Sequence, residues 1–368
     1  MDFTFTALYV LGSLVVSYFL LSSVREFIDS FRLYPKSKSR DLHKKPIPSF
    51  LGIGFIVIFL LGTFFYSSSF ETVFHFNTIL VSLLIITIAG VRDDLFEISS
   101  KEKLFYEVIS ITVLLWGNPD LVIENLHGFL GIYDIPLAFS YLLTAFIGVS
   151  IINSFNLIDG IDGNAAINGI VTFVLFGILF YATEYYAIVR LCALITSMLL
   201  GYLFINLSKK AKGFMGDTGS LFIGFLIFLM SLLWLNNESI FLENIISSKA
   251  ILPIPLLSIF IVPIIDTLSV YSYRIKIGRS PFRPDNYHIH HLSLRLFSRR
   301  HLSSSIFLNG LGLLFNVVFA ILSFNTKSYV LISLYFISVL ITVLYVNNLR
   351  SKLRRKLGKK ASDVIVID

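Results

Sequence analysis

The sequence predicts an all-α polytopic membrane protein of about eleven transmembrane helices, N-terminus outside and C-terminus cytoplasmic. Three observations predict it. Of 368 residues, 55% are hydrophobic and only 14% charged, where a soluble domain carries about 25% charged residues. The mean hydropathy is +0.80, with the apolar residues in blocks too long for core strands. The 30 Lys and Arg fall almost entirely in every second gap between those blocks. An ordinary soluble enzyme, a disordered chain and a disulfide scaffold are thereby excluded. The single cysteine, Cys192, lies inside an apolar run and reads as a small buried hydrophobe.

A helix needs roughly 20 apolar residues to cross the hydrocarbon. Eleven runs qualify, near 4–24, 49–66, 77–91, 104–118, 137–153, 166–183, 186–206, 219–236, 250–272, 303–323 and 328–347. At ~20 residues each they take up roughly 220 positions, which leaves little for a soluble domain. The chain is therefore read as one transmembrane unit over 1–348 and a basic cytoplasmic tail over 349–368. The first run shows no signal-peptide cleavage pattern and is long enough to span, so it is kept as a helix. The 36 Phe suit lipid-facing surfaces and interfacial belts. No internal repeat or low-complexity segment interrupts the pattern.

Orientation follows from the cations. Gaps 25–48, 92–103, 154–165, 207–218, 273–302 and 348–368 hold 27 of the 30 basic residues, leaving Arg190, Lys249 and Lys327 on the other side. The positive-inside rule places those six gaps in the cytoplasm. The run at 104–118 is short and contains Glu107. Removing it would flip every later gap and leave 13 basic residues inside against 17 outside, so it is retained. The tail Arg350–Lys360 would meet the anionic inner leaflet, at about 1 kcal/mol per cation. Topology thus accounts for the pI of 9.3, and nucleic-acid binding is not implied.

Unusual polar residues occupy the same gaps. In RDDLFEISSKEK, Asp93 and Asp94 are adjacent and precede Lys101 and Lys103. Neighbouring acids repel unless a cation intervenes, which suits a Mg²⁺ site or a proton acceptor, while Lys103 suits a phosphate. A helix cap with topological lysines is the structural alternative. The next gap, NSFNLIDGIDGN, runs from Asn153 to Asn164 with Asn156, Asp159 and Asp162 and no basic residue. Unpaired carboxylates in an apolar protein are costly, so this loop calls for a cation or ligand donors. FMGDTGS places Asp217 at a helix start, where it reads as a Mg²⁺ ligand or an Asx cap. The long gap 273–302 carries Arg274, Lys276, Arg279 and Arg283 before His288, His290 and His291. On one helix His288 and His291 would share a face and His290 would point elsewhere. Zinc is disfavoured because no cysteine and no nearby acid beyond Asp285 supports it. Arg and His donors suit a sugar or diphosphate instead. The first gap adds RDLHKKPIPS, with Arg40, His43, Lys44 and Lys45. Acidic ligands beside cations fit transfer chemistry on a phosphate-bearing substrate at the interface.

Six ordered stretches, RDLHKKPIPS, VRDDLFEISSKEK, NSFNLIDGIDG, FMGDTGS, PIIDTLSV and HIHH, resemble the polyprenyl-phosphate N-acetylhexosamine-1-phosphate transferases. The HIHH form is most similar to the bacterial branch using UDP-GlcNAc and undecaprenyl phosphate. The resemblance implies a Mg²⁺-dependent enzyme, with Mn²⁺ as a substitute, in the bacterial plasma membrane with a cytoplasmic active site. It implies transfer of a HexNAc 1-phosphate from a UDP-sugar to undecaprenyl phosphate, releasing UMP, as the first membrane step of a surface-glycan pathway. Carried over by motif, Asp217 and Asn156 would ligate the metal and Asp93 and Asp94 would be catalytic acids, Asp93 taking the lipid phosphate's proton. Lys103 would hold the diphosphate. Asp159 and Asp162, also taken as catalytic, would order the nucleotide-side loop, and Asn153 would bind substrate. Arg283, His288, His290 and His291 would meet the sugar-phosphate. A homodimer is compatible with this reading, and the bilayer is the remaining partner.

Two positions depart from the family pattern. FLGIG stands where two adjacent glycines are usual, and Asn164 stands where an apolar residue follows IDG. Asp266 lies inside a span, where it is either functional or a hydrogen-bonded buried acid. A secondary transporter is the competing class, but transporters place polar residues at the midplane within repeats, and here they sit at one end of the spans. Replacing His291 by Ala is expected to raise the KM for the UDP-sugar far more than that for the polyprenyl phosphate. Steady-state kinetics with each substrate varied checks this, and equal losses would mark a structural histidine.

Overall fold

The computed structural model describes residues 3–31, 47–64, 75–236, 248–280, 288–296 and 300–357. Arg40, His43, Lys44, Lys45, Arg283, Asp285 and the chain beyond 357 lie outside the described residues. Thirteen helices make up the fold among the described residues: α1 (Phe3–Ser30), α2 (Gly52–Phe64), α3 (Phe76–Phe96), α4 (Ser100–Gly117), α5 (Leu137–Ile158), α6 (Asn164–Ala182), α7 (Tyr186–Asn206), α8 (Gly216–Leu235), α9 (Pro253–Ile259), α10 (Ile261–Lys276), α11 (Ile289–Leu296), α12 (His301–Asn325) and α13 (Ser328–Leu357). A short antiparallel hairpin, β1 (Asn125–Phe129) with β2 (Ile132–Asp134), pairs Asn125 with Asp134 and Phe129 with Ile132. It lies in the segment between α4 and α5 and is the one sheet among the described residues, the rest of the bundle being helical as expected.

Each apolar run coincides with a helix or, at 250–272, with a bent pair. Among the described residues seven helices are long and apolar enough to cross a membrane, and eight spans result if the pair Lys249–Ile259 and Ile261–Lys276, bent by 71°, counts as one. The protein is a polytopic helical membrane protein. The bend falls at Phe260 because Pro263 lacks the N–H that would bond the Ile259 carbonyl. Helix α13 continues through position 349, so the beginning of the basic tail is an extension of the last span. Large apolar side chains such as Phe146, Ile178, Phe204, Ile321 and Leu340 point outward from the bundle, as lipid contact requires.

Helix α8 is the axis. Of its apolar stretch 94% is buried, and a helix buried all round carries apolar residues on every face. Helices α2, α3, α5 and α6 pack around it. Small residues bring two of these to van der Waals limits: a Cβ on Gly52 would lie 2.1 Å from the Gly219 nitrogen, and one on Gly90 2.4 Å from Thr218 Cα. The obstructing atoms are backbone and cannot rotate aside. The proline loop is also tied to α8 by main chain, with Phe214 N–H donating to Pro48 at 2.8 Å, Leu51 to Phe214 at 3.2 Å and Gly52 to Met215 at 3.0 Å. Helices α9, α10, α12 and α13 form a flank with its own apolar cluster around Ile261, Phe319, Leu331 and Tyr335.

Gly90→Ala is expected to push α3 off the start of α8 and cost about 1–3 kcal/mol, lowering the thermal unfolding midpoint in detergent. Gly310→Ala, where a Cβ meets nothing within 4 Å, is the control and should leave the midpoint unchanged or raise it.

Candidate active site

The six gaps assigned to one side, five of which hold the cations, converge through their described residues at one end of the bundle. Arg25 Nε donates to Lys212 O at 3.2 Å, and the proline loop joins Phe214 and Met215 as above. Asp94 joins α8, Lys103 joins Asn156 and Asp217, Asp162 joins Lys212 and His301, and Asp266 neighbours Arg350. Residues spread over the whole sequence therefore form a single polar end.

Asp94 holds the N-terminus of α8. Its carboxylate accepts from Asp217 N–H at 2.9 Å, Thr218 N–H at 3.0 Å and the Thr218 hydroxyl at 2.6 Å. The first turn of a helix has unpaired N–H groups and a partial positive charge, so a carboxylate from α3 does the work of a local cap. Burial, then the charge of Asp217, pushes the Asp94 carboxyl up to about 6 despite these bonds. Its observed role is to position the α8 start.

The centre of the site is a lysine among oxygens. Lys103 Nζ lies 2.7 Å from Asp217 Oδ1, 3.1 Å from Asp93 Oδ2 and 3.4 Å from Asn156 Oδ1. Burial opposes the charge of Lys103, but Asp217 and Asp93 outweigh it and hold the ammonium above the ordinary lysine value. Burial, then Asp217, raises the Asp93 carboxyl, with Lys103 pulling the other way. Asp93 Oδ1 also accepts Ile98 N–H at 3.1 Å, closing the turn between α3 and α4. The Asn156 amide donates to Asp217 and, at 2.7 Å, to Ser220. Asn153, one turn deeper on α5, instead donates to buried Glu107 at 2.6 Å.

The two acids of the DG loop have different environments. Asp162 is ion-paired with Lys212 and lies 3.2 Å from His301 Nδ1. The loop's own lack of cations is thus made good by two other gaps. Asp159 has no side-chain hydrogen bond or ion pair among the described residues. Burial pushes its carboxyl well above the ordinary value, and Asp217, Asp94 and Asp162 add to this. Asn164, the departure from the family pattern, bonds the Ile158 carbonyl at 2.9 Å and receives the Asn309 amide at 3.1 Å, fastening α12 to the DG loop.

The histidines are arranged differently from the one-helix expectation. His288 precedes the first residue of α11, so its ring is free of the helical register and stacks on His290 at 5.6 Å and 9°. His291 is 4.3 Å from His290. His290 abuts the DG loop, since a Cβ on Gly160 would lie 2.8 Å from its Nε2. Asp266 accepts from Ile289 N–H at 2.7 Å, lies 2.9 Å from His288 Nδ1 and sits 3.7 Å from Arg350. It is a buried positioning acid for the histidine segment. Sequence reasoning missed Lys212, His301, Thr218, Ser220 and Arg350; only the excess of polar residues at helix ends hinted at them.

The oxygens around Lys103 are of the kind Mg²⁺ takes. That ion binds through one or two carboxylates, keeps waters and completes its shell with substrate phosphates. Asp217, Asp93 and Asn156 fit such an open site. Among the described residues no group of three or more His, Cys, Asp or Glu is placed to hold a metal, the histidines included.

The glycosyl transferase family 4 pattern matches residues 76–235. The undecaprenyl-phosphate alpha-N-acetylglucosaminyl 1-phosphate transferase of Yersinia pestis is 29% identical over 267 residues, 72% of this chain and 70% of its own. Its Salmonella typhi namesake is 28% identical over 290 residues, 76% of each chain. A Bacillus subtilis protein named "probable undecaprenyl-phosphate N-acetylglucosaminyl 1-phosphate transferase" is 30% identical over 312 residues, 82% of this chain and 80% of its own. Fold, site and similarities together define a multi-pass membrane glycosyl-1-phosphate transferase. The chain belongs to glycosyl transferase family 4, among the polyprenyl-phosphate N-acetylhexosamine-1-phosphate transferases.

His290 yields a pH prediction. Burial, then the neighbouring His291, lowers its imidazole to about 3, while an unfolded histidine protonates near 6.5. Acidification from pH 6.5 therefore protonates the unfolded chain first and favours it. At 1.36 kcal/mol per pH unit the loss by pH 5 is about 2 kcal/mol. Thermal unfolding of wild type and His290→Gln at pH 7 and 5 checks this, the variant being expected to lose less on acidification.

Proposed function

We propose that this protein transfers an N-acetylhexosamine 1-phosphate, with GlcNAc 1-phosphate as the first candidate, from its UDP-sugar to undecaprenyl phosphate. The reaction takes place at the cytoplasmic face of the bacterial plasma membrane, opens a surface-glycan pathway and releases UMP. The observation that carries this reading is the convergence of Lys103, Asp93, Asn156 and Asp217 at one end of a membrane bundle, in a chain whose relatives bear that activity's name. Eleven crossings, an outside N-terminus and a cytoplasmic C-terminus follow from the same reading, because five of the six convergent gaps are the basic ones.

An oxygen of the lipid phosphate forms a bond to the sugar-bearing phosphorus while the bridge from that phosphorus to UMP breaks. A phosphate monoester has a second pKa near 6 and is mostly dianionic at pH 7. A general base therefore contributes little, and positioning with charge stabilisation contributes most. A bound Mg²⁺, for which Mn²⁺ substitutes, supplies neutralisation of the diphosphate. Asp217 and Asn156 would hold it, with Asp93 beside them. Lys103 meets the diphosphate. Asp94 sets the start of α8, and Asp162 orders the nucleotide-side loop through Lys212 and His301. The segment bearing His288, His290 and His291, with Arg283, receives the sugar-phosphate.

Detergent-purified protein with undecaprenyl phosphate, Mg²⁺ and a panel of UDP-HexNAc donors is expected to release UMP with UDP-GlcNAc. Turnover confined to another donor would replace the sugar and keep the reaction. No turnover with any donor by folded protein would overturn the reading. Asp217→Ala should lower turnover by at least about 100-fold with expression and thermal unfolding preserved.

A further inference from the structure

Glu107 has no part in the site as described, and its surroundings are incomplete. It lies one helical turn beyond Lys103 on α4 and is 0% exposed. Oε2 receives the Asn153 amide at 2.6 Å. Oε1 is buried with no hydrogen-bond partner among the described residues. A half-satisfied buried carboxylate is costly unless it gains a donor in some state of the protein.

The polar residues of α4 and α5 form two levels. The upper level is Lys103 with Asn156, Asp93 and Asp217. The lower level, one turn deeper, is Glu107 with Asn153. Side chains four apart on a helix are neighbours, with Cβ atoms about 5–6 Å apart, and a lysine stem is long and flexible enough to reach either level. At the upper level the ammonium is surrounded by the oxygens of Asp93, Asp217 and Asn156, the same oxygens suited to Mg²⁺. An ammonium and a divalent ion cannot both occupy the middle of that set, because like charges at such separations repel strongly in a partly buried setting.

We propose that Lys103 is the resident cation of the metal position and that Glu107 is its second station: when a divalent ion enters, the ammonium turns down one helical turn to Glu107 Oε1. The inference rests on the metal-dependent transferase reading. The exchange releases three oxygens to the metal and supplies the donor Glu107 lacks. Glu107 is thus a positioning residue acting through Lys103.

The test is Mn²⁺ binding to the full-length detergent-purified protein without substrate, read from the EPR signal of free Mn²⁺, so that turnover is not involved. Lys103→Met removes the competing ammonium and should bind Mn²⁺ roughly tenfold more tightly than wild type. Glu107→Gln removes the second station and should weaken Mn²⁺ binding several-fold. In the Lys103→Met background the same change should have no effect, since the two act as a unit. Unchanged or weaker binding by Lys103→Met overturns the exchange. So does a Glu107→Gln effect that persists without the lysine, or an absence of Mn²⁺ binding in wild type and Lys103→Met alike. Lys103→Gln replaces Lys103→Met if gel filtration shows the latter misfolded, and carries the same two outcomes. Exchange seen without turnover of any donor would sink the transferase reading and leave the exchange standing.

Discussion

The grip of Asp94 on the first turn of α8 is the contact on which the rest of the site depends. Helix α8 is buried almost along its whole length, so its unpaired N-terminal N–H groups cannot turn to water. A carboxylate supplied by α3 satisfies them and couples two helices far apart in sequence. The close approach of Gly90 and Gly52 lets α3 and α2 come near enough for this. Asp217 is then delivered at the position where Asn156 and Lys103 meet it.

Charge pairing explains the different behaviour of five neighbouring carboxylates. Asp94 is met by a helix end, Asp162 by Lys212 and His301, and Asp93 and Asp217 share Lys103. Asp159 faces only like charges. The carboxyl groups of the site thus outnumber the cations paired with them, Lys103 and Lys212. A second buried acid, Asp266, acts at a distance by holding the histidine segment against the DG loop, and Arg350 near the end of the last span closes that side.

Much of this was legible before any coordinates. Asp93, Asp94, Lys103, Asn156, Asp159, Asp162, Asp217 and the histidines stand out because charge and amide groups are rare in an apolar chain and costly there. Their partners did not stand out. Lys212 and His301 look like ordinary topological cations, Thr218 and Ser220 like ordinary helix residues, and Asn153 like a ligand although it binds Glu107. Spacing identifies groups within one segment, whereas these pairings cross 46 to 139 residues of chain.

Hydrophobic run length and the placement of cations determine the class of protein and the end at which its chemistry gathers, because both express solvation energies local to a segment. Which acid is paired, capped or left facing its neighbours is decided only by packing. The seating of His288 outside α11 and the two-level arrangement of Lys103 and Glu107 arise from contacts between helices. Those distances are set by the shape of the buried faces, which no single segment specifies.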